Sequence, residues 1–290
     1  YALRPVTVVT ADGARSAQVY WPPETIAPGP IWDLAAWVHE WGALTVSSAP
    51  DILRLRRAWA ATDTRAIRPF AQARGWARQL AQTGAPATVR HSPAPGDVQA
   101  TPREDGYDGF FGLRRLDLRY RRFSGDLSDP ISREAFMAFD AALVLPYDPD
   151  RDSVLLVEQL RYGPIVRTDP NPWVLEPVAG LVDAGEDPAD TVRREAQEEA
   201  GLTLGRVIAL PHAYPSPGYS SEYFHMFIAV TDLSGHSTGL GGLEGESEDI
   251  RHHVIPRAHA LDLIDSGEIN ALPLQTMLLW LDRMRHQLRD

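Results

Sequence analysis

Glu195, Glu198 and Glu199 stand three and four residues apart, so a helix carrying them places three carboxylates on one side within a single turn. Like charges at that spacing cost roughly a few tenths of a kcal/mol each on an exposed helix, and more where partly buried. A bound cation relieves the conflict. Arginine partners on a solvated acidic face offer another relief, and Arg194 reaches Glu198 at i, i+4. Oxygen-only ligands, with no cysteine in the chain and no paired histidine nearby, favour a hard ion, Mg²⁺ or Mn²⁺, over zinc.

The helix that must hold these carboxylates is clearly signed in the sequence. Asp187 is its cap, Pro188 takes the first turn, Asp190 follows three residues after the cap and Gly201 ends it, which predicts a helix over about 188–200. A second amphipathic helix is predicted over 274–288, with Leu274, Met277, Leu278, Leu281 and Met284 on one face. Strands are expected within 110–123, 141–145 and 153–157, the last two around a turn at Asp148-Pro149-Asp150. Nearer the start, residues 3–9 and 17–21 flank an Asp12-Gly13 turn and read as a hairpin. Helical patterns follow near 31–42, 48–61 and 65–82, and the spacing of Ile31, Leu34, Trp37, Val38 and Trp41 assigns those side chains to a core. The Pro-, Ser- and Gly-containing stretch 91–108 reads as a linker, dividing a domain at 1–90 from one at 109–290.

Composition limits the chemistry further. A 290-residue chain with 44% hydrophobic and 23% charged residues builds a globular core. The absence of cysteine excludes disulfides, thiolate nucleophiles and Cys-ligated metals, and fits the cytoplasm. The absence of lysine removes Schiff-base chemistry and the GK[ST] phosphate loop, so phosphate must be gripped by arginine, backbone amides or metal. A net charge of −11 opposes binding to nucleic acid or anionic membrane, and no apolar run approaches the roughly 20 residues of a membrane span. The chain opens at Tyr1 without methionine or a signal pattern, so a preceding segment is expected.

The 23-residue stretch Gly180 to Leu202 fits Gly-x5-Glu-x7-Arg-Glu-U-x-Glu-Glu-x-Gly-U, with U aliphatic, at every fixed position. In this it resembles the Nudix hydrolases. The resemblance implies an α/β fold, an α/β/α sandwich with an N-terminal β-strand subdomain, beside a smaller mixed α+β N-terminal domain. It makes Glu195, Glu199 and the carbonyl of Ala179 metal ligands and Glu198 the next candidate, with Glu186 and Arg194 orienting the loop and the carboxylates. The implied reaction is attack of water on a diphosphate phosphorus, with metal screening the charge that builds up and a general base still to be supplied.

Tyr214-Pro-Ser216-Pro217-Gly218-Tyr-Ser-Ser-Glu222 resembles the Ser-Pro-Gly-x-x-x-Glu segment of bacterial ADP-ribose pyrophosphatases, although Ser-Pro-Gly is also simply a tight turn. The likeness runs in order from Gly109 to His286. It implies that Leu181, Ser216, Pro217, Gly218 and Glu222 bind substrate, and that Arg133, Glu134 and Arg161 grip phosphate and ribose. Phe110 and Phe111 would stack on adenine across a homodimer built on strands 109–135. In the glycine-rich acidic stretch 239–250, Glu246 would be the proton acceptor and Glu248 a further metal ligand. One family arginine is Ala138 here, which departs from the pattern at the terminal ribose. The leading expectation is hydrolysis of ADP-ribose to AMP and ribose 5-phosphate. The rivals are another nucleotide sugar or dinucleotide, and a sensor domain without turnover. Residues 1–22 resemble the closing strands of an AIG2-like, γ-glutamylcyclotransferase-type domain of the kind fused to a Nudix unit in TrgB-like tellurite-resistance proteins. The substrate motif and catalytic acid of that family are not visible, so an accessory role is expected.

Overall fold

The computed structural model describes residues 2–21, 29, 31–58, 64–242 and 249–288, which fall into two compact units, 1–42 and 43–290. The first unit holds the expected hairpin. Strands β1 (Ala2–Thr10) and β2 (Gly13–Trp21) pair antiparallel, with Gly13 at φ +104°, a value that glycine adopts without strain. A short helix α1 (Leu34–Trp37), capped by the Asp33 carboxylate on the Ala36 amide at 2.7 Å, runs into a π-helical turn at Val38–Gly42. The core expected along this helix does not form within the unit: Ile31, Leu34, Val38 and Trp41 are exposed, Ile31 by 98%. A two-stranded hairpin and one helical turn offer too little surface to bury them.

The second unit begins with α2 (Ala43–Ala58) and α3 (Thr64–Leu80), then β3 (Val98–Asp108), β4 (Gly112–Tyr120) and β5 (Ile131–Met137), which form a three-stranded antiparallel sheet. The compact units therefore divide at Gly42 and Ala43 instead of within 91–108, where β3 occupies the second half of the expected linker. Electrostatics supply the reason. Asp51 on α2 is buried and accepts from Arg78 of α3 at 2.7 Å and from Arg114 of β4 at 3.1 Å, binding both helices to the strands. The helices also meet closely at Gly75, where a Cβ would lie 2.9 Å from the Ser48 backbone nitrogen. Phe110 and Phe111, expected in a strand, form the turn between β3 and β4.

The large sheet is built from β6 (Asp140–Asp148), β7 (Ser153–Leu160), β8 (Trp173–Glu176), β9 (Val178–Leu181), β10 (Arg206–Ala209), β11 (Tyr223–Val230), β12 (Gly239–Gly241) and β13 (Ile250–Pro256). Its main path is β10-β11-β6-β7-β13-β12, with β8 on β7 and β9 on β6, and β11 runs parallel to β6. Helix α4 (Tyr162–Arg167) follows β7, α5 (Pro188–Ala200) follows β9, and α6 (Arg257–Ser266) and α7 (Leu272–Met284) close the chain.

The period-two alternation of β6 builds both faces of the sandwich. Ala142 and Val144 pack with Val192, Ala196 and Ala200 of α5, joined by Trp76 and Leu80 of α3. Leu143, Leu145 and Tyr147 pack with Leu274, Met277, Leu278 and Leu281 of α7. Burying each of these leucines contributes about 1.5–3 kcal/mol. The sheet is thereby held between α5 and α7, and β9 is fixed beside the helix that carries the carboxylates.

Candidate active site

The helix forms where its punctuation places it. Asp187 accepts from the Ala189 amide at 2.8 Å, Pro188 opens α5, and Gly201 ends it at φ +61°. The helix buries Val192, Ala196 and Ala200 against the sheet, which turns Glu195 and Glu199 toward β9. Glu199 is 2% exposed and accepts from the Ala179 amide at 3.3 Å. The Glu195 carboxyl lies over Gly180 so closely that a Cβ there would stand 1.8 Å from its Oε1. Only glycine leaves that space. Two of the expected metal-binding carboxylates and the Ala179–Gly180 backbone thus share one small volume.

Arg194 holds this volume together. Its Nη1 donates to Glu195 at 2.6 Å and to Glu198 at 3.0 Å, its Nε and Nη2 clasp Glu186 at 3.2 and 3.1 Å, and Nη2 also reaches the Leu181 carbonyl at 3.3 Å. Burial alone would lower the guanidinium pKa, but Glu186 and Glu195 raise it. Burial likewise would raise Glu186, yet Arg194, Thr191 and the Asp183 amide hold it below the ordinary range. Thr191 donates to Glu186 at 2.7 Å, and the Trp76 indole N–H of α3 donates to the Glu186 carbonyl at 3.0 Å.

The donors at this site are all oxygen, and glycine has cleared the room around them, so the residues fit a hard divalent cation held by Glu195, Glu199 and the 179–180 backbone. In this conformation Arg194 supplies the charge balance. Among the described residues no group of three or more His, Asp or Glu side chains is gathered closely enough to hold an ion.

A second acidic cluster borders β8. Arg161 pairs with Glu176 through Nε, and its charge also acts on Glu222. Burial pushes both carboxyls up against the pull of Arg161. The Ser216-Pro217-Gly218 segment forms a turn whose Ser216 carbonyl accepts from the Ser220 amide at 3.0 Å. It is tied to β5 by Phe136 N–H to the Tyr219 carbonyl at 2.7 Å. Arg133 and Glu134 lie exposed on β5, where Arg133 donates to the Ser132 carbonyl and Glu134 pairs with Arg115 at 3.7 Å. Phe110 and Phe111 join a ring cluster with Phe70, Phe136 and Phe139, at centroid distances of 4.5–5.7 Å, and keep 44% and 37% exposure.

Glu246 and Glu248 fall outside the described residues. The backbone leading to them is fixed at Gly242, whose amide donates to the Glu198 carbonyl at 3.3 Å. Just before it, Gly241 lies so near the Glu199 carbonyl that a Cβ would approach to 1.8 Å. Three participants were not legible as site residues. Glu176 stands out only as a charge within an apolar strand, whereas Trp76 and Thr191 carried no local signal.

The sandwich carries an arginine-clasped cluster of carboxylates on a helix between two loops, and comparison with known proteins gives the class of hydrolases to which the chain belongs. The NUDIX domain model matches residues 137–274. The chain is 40% identical over 191 residues to the ADP-ribose pyrophosphatase of Escherichia coli (strain K12), covering 66% of this chain and 90% of that protein. It is 33% identical over 217 residues to the ADP-ribose pyrophosphatase of Haemophilus influenzae, covering 74% and 96%. It is also 34% identical over 162 residues to the GDP-mannose pyrophosphatase of Citrobacter koseri, covering 56% and 83%. The chain belongs to the Nudix hydrolase family, as an enzyme of the diphosphatase kind, and enzymes of this family depend on divalent metal.

Proposed function

We propose that the chain hydrolyses the diphosphate of ADP-ribose to AMP and ribose 5-phosphate. The single observation that carries this reading is the gathering of Glu195, Glu199 and the Ala179–Gly180 backbone under the Arg194 clasp, in a chain 40% identical to an ADP-ribose pyrophosphatase. Glu195, Glu199 and the Ala179 carbonyl would hold the ion, Mg²⁺ or Mn²⁺, with Glu198 and Glu248 as further oxygen donors. When bound it screens charge on the diphosphate oxygens and lowers the pKa of water. Arg161 binds a phosphate oxygen, with Glu222 beside it and the Ser216–Gly218 turn shaping the substrate cleft. Glu246 accepts the proton of the attacking water, the phosphorus–oxygen bond of the diphosphate breaks, and the departing phosphate leaves as its anion. The fixed start of the 243–248 segment at Gly242, beside Glu198, supports that role.

A homodimer supports the expected work of Phe110, Phe111, Arg133 and Glu134: within one chain these stand exposed on the β3–β5 sheet, available to a neighbour's substrate. A cytoplasmic setting fits a cysteine-free chain. No helix among the described residues is long and apolar enough to cross a membrane. The accessory domain reading for the N-terminal region stays a proposal beside these. A second reading, hydrolysis of a nucleotide sugar, is favoured by the 34% identity to a GDP-mannose pyrophosphatase. Product analysis with ADP-ribose, GDP-mannose and a dinucleotide, each with Mg²⁺, decides between them. AMP release fastest from ADP-ribose is expected, and faster release of GMP from GDP-mannose would overturn the assignment.

A further inference from the structure

A cavity of about 670 Å³ lies apart from the carboxylate site, between α3 with the turn after it, the first residues of α5, and the starts of β6 and β11. None of Glu195, Glu198, Glu199, Arg161 or Glu222 lines it. Much of one wall, residues 74–85, precedes the matched NUDIX segment, so the cavity is a product of how this chain packs α3 onto the sandwich. Its size is that of a small-molecule site.

The lining is organised for a flat guest with hydrogen-bonding edges. Asp140, 5% exposed, and His225, 8% exposed, are joined Nε2 to Oδ2 at 2.8 Å. With Nε2 facing the Asp140 carboxylate as donor, Nδ1 of His225 is left as an acceptor, with no hydrogen bond made to it among the described residues. His212 accepts the Met226 amide on Nδ1 at 3.1 Å, so its Nε2 carries the proton and is a donor. Burial lowers the pKa of His212. The two rings stand 5.0 Å apart between centroids, and both line the cavity. Tyr214 and Tyr223, at 4.8 Å, add aromatic surface. Charge has a separate place. Arg78 is engaged by Asp51 at 2.7 Å, and buried Arg74 donates through Nη1 to the Phe110 carbonyl at 2.9 Å with its Nε 3.8 Å from Asp51, whereas exposed Arg90, which among the described residues donates to the Ala85 carbonyl at 2.6 Å, offers its remaining donors to an anion.

We propose that this cavity binds a planar nitrogen heterocycle carrying an anionic group, the chemistry of a nucleoside monophosphate, with the heterocycle against His212, His225 and the tyrosines and the anion at Arg90. The proposal does not rest on the substrate assigned above. Its test is calorimetric titration of the full chain, in EDTA, with AMP, adenosine and ribose 5-phosphate. Besides any product binding at the carboxylates, one saturable AMP site at the cavity is expected, with adenosine and ribose 5-phosphate each bound there at least about tenfold more weakly, the share of a charge-assisted contact. Arg90→Ala should weaken AMP by about tenfold and leave adenosine unchanged. Ala77→Phe, which fills the cavity from α3, should abolish AMP binding while ADP-ribose turnover persists. If that variant does not fold, the AMP and adenosine comparison in Arg90→Ala decides. Absence of saturable AMP binding, or AMP affinity unchanged in the variants that fold, overturns the proposal. A chain with this binding pattern but no ADP-ribose hydrolysis would overturn the proposed function and leave the cavity assignment standing.

Discussion

Replacing Arg194 by alanine removes the only guanidinium seen to touch Glu186, Glu195 and Glu198 together. Hydrogen bonds to charged groups contribute about 1.5–3 kcal/mol each when well buried, which would suggest a very large loss for the four made to carboxylates. The side chain is 35% exposed, however, and Glu198 is 30% exposed, so solvent screens much of that. Breaking a partly buried network of this kind should cost about 3 kcal/mol. The variant also removes the cation that pairs with Glu195 and Glu198 in this structure. Saturating Mg²⁺ should then stabilise it by about 2.7 kcal/mol at a hundredfold excess over its Kd, and stabilise the parent by less, because the parent must first loosen Arg194 from Glu195. Arg194→Lys keeps the charge but loses the two-pronged hold on Glu186, and should lie about midway. Urea unfolding in EDTA and in Mg²⁺ measures both effects. A loss below about 0.5 kcal/mol in EDTA, within the range of an ordinary surface change, would refute the network's structural role. Equal Mg²⁺ stabilisation of parent and variant would refute the competition between arginine and cation.

Other expected outcomes are simpler. Glu199→Gln should lower kcat by at least about a hundredfold with the fold intact by circular dichroism; a near-normal rate would remove Glu199 from the site. Gly180→Ala crowds the carboxyl and Cγ of Glu195 and pulls it from the Arg194 clasp, so turnover should fall steeply and the melting temperature should fall with it; an unchanged rate would remove Glu195 from the site. Trp76→Phe keeps the ring but loses the donor to the Glu186 carbonyl, and should cost about 1 kcal/mol in urea unfolding, against none if that contact is incidental. Glu186, Asp148 and Asp152 all titrate below their usual values. Their stabilisation is present above the unfolded values of about 4 and is lost as pH falls through the lower folded ones, so unfolding free energy should drop steadily below about pH 4. Arg194→Ala should flatten the share of that slope owed to Glu186.

Local punctuation made the helix of the site readable: Asp187, Pro188 and Gly201 act within a few residues of one another, and their cap bonds are where the spacing puts them. The apolar run at 141–145 and the stripe on 274–281 were legible because both pack into the core, although the division of 141–145 between two faces was not. What stayed hidden depends on contacts between distant residues. Nothing near Asp51 announces that it joins two helices to β4 through Arg78 and Arg114, so the packing of 43–80 with the strands that follow was not legible. Trp76 reaches Glu186 across 110 residues. The stripe at 31–41 shows the opposite failure, because helical spacing without a partner surface in its own unit leaves apolar side chains exposed.

Whether the α5 carboxylates capture a divalent cation is tested most directly by Mn²⁺ binding, followed by electron paramagnetic resonance in the presence of a nonhydrolysable ADP-ribose analogue. Parent protein should bind Mn²⁺ in competition with Mg²⁺, and Glu195→Gln and Glu199→Gln should each weaken it by at least about tenfold while still binding the analogue. Unchanged Mn²⁺ affinity in both variants would contradict the metal assignment.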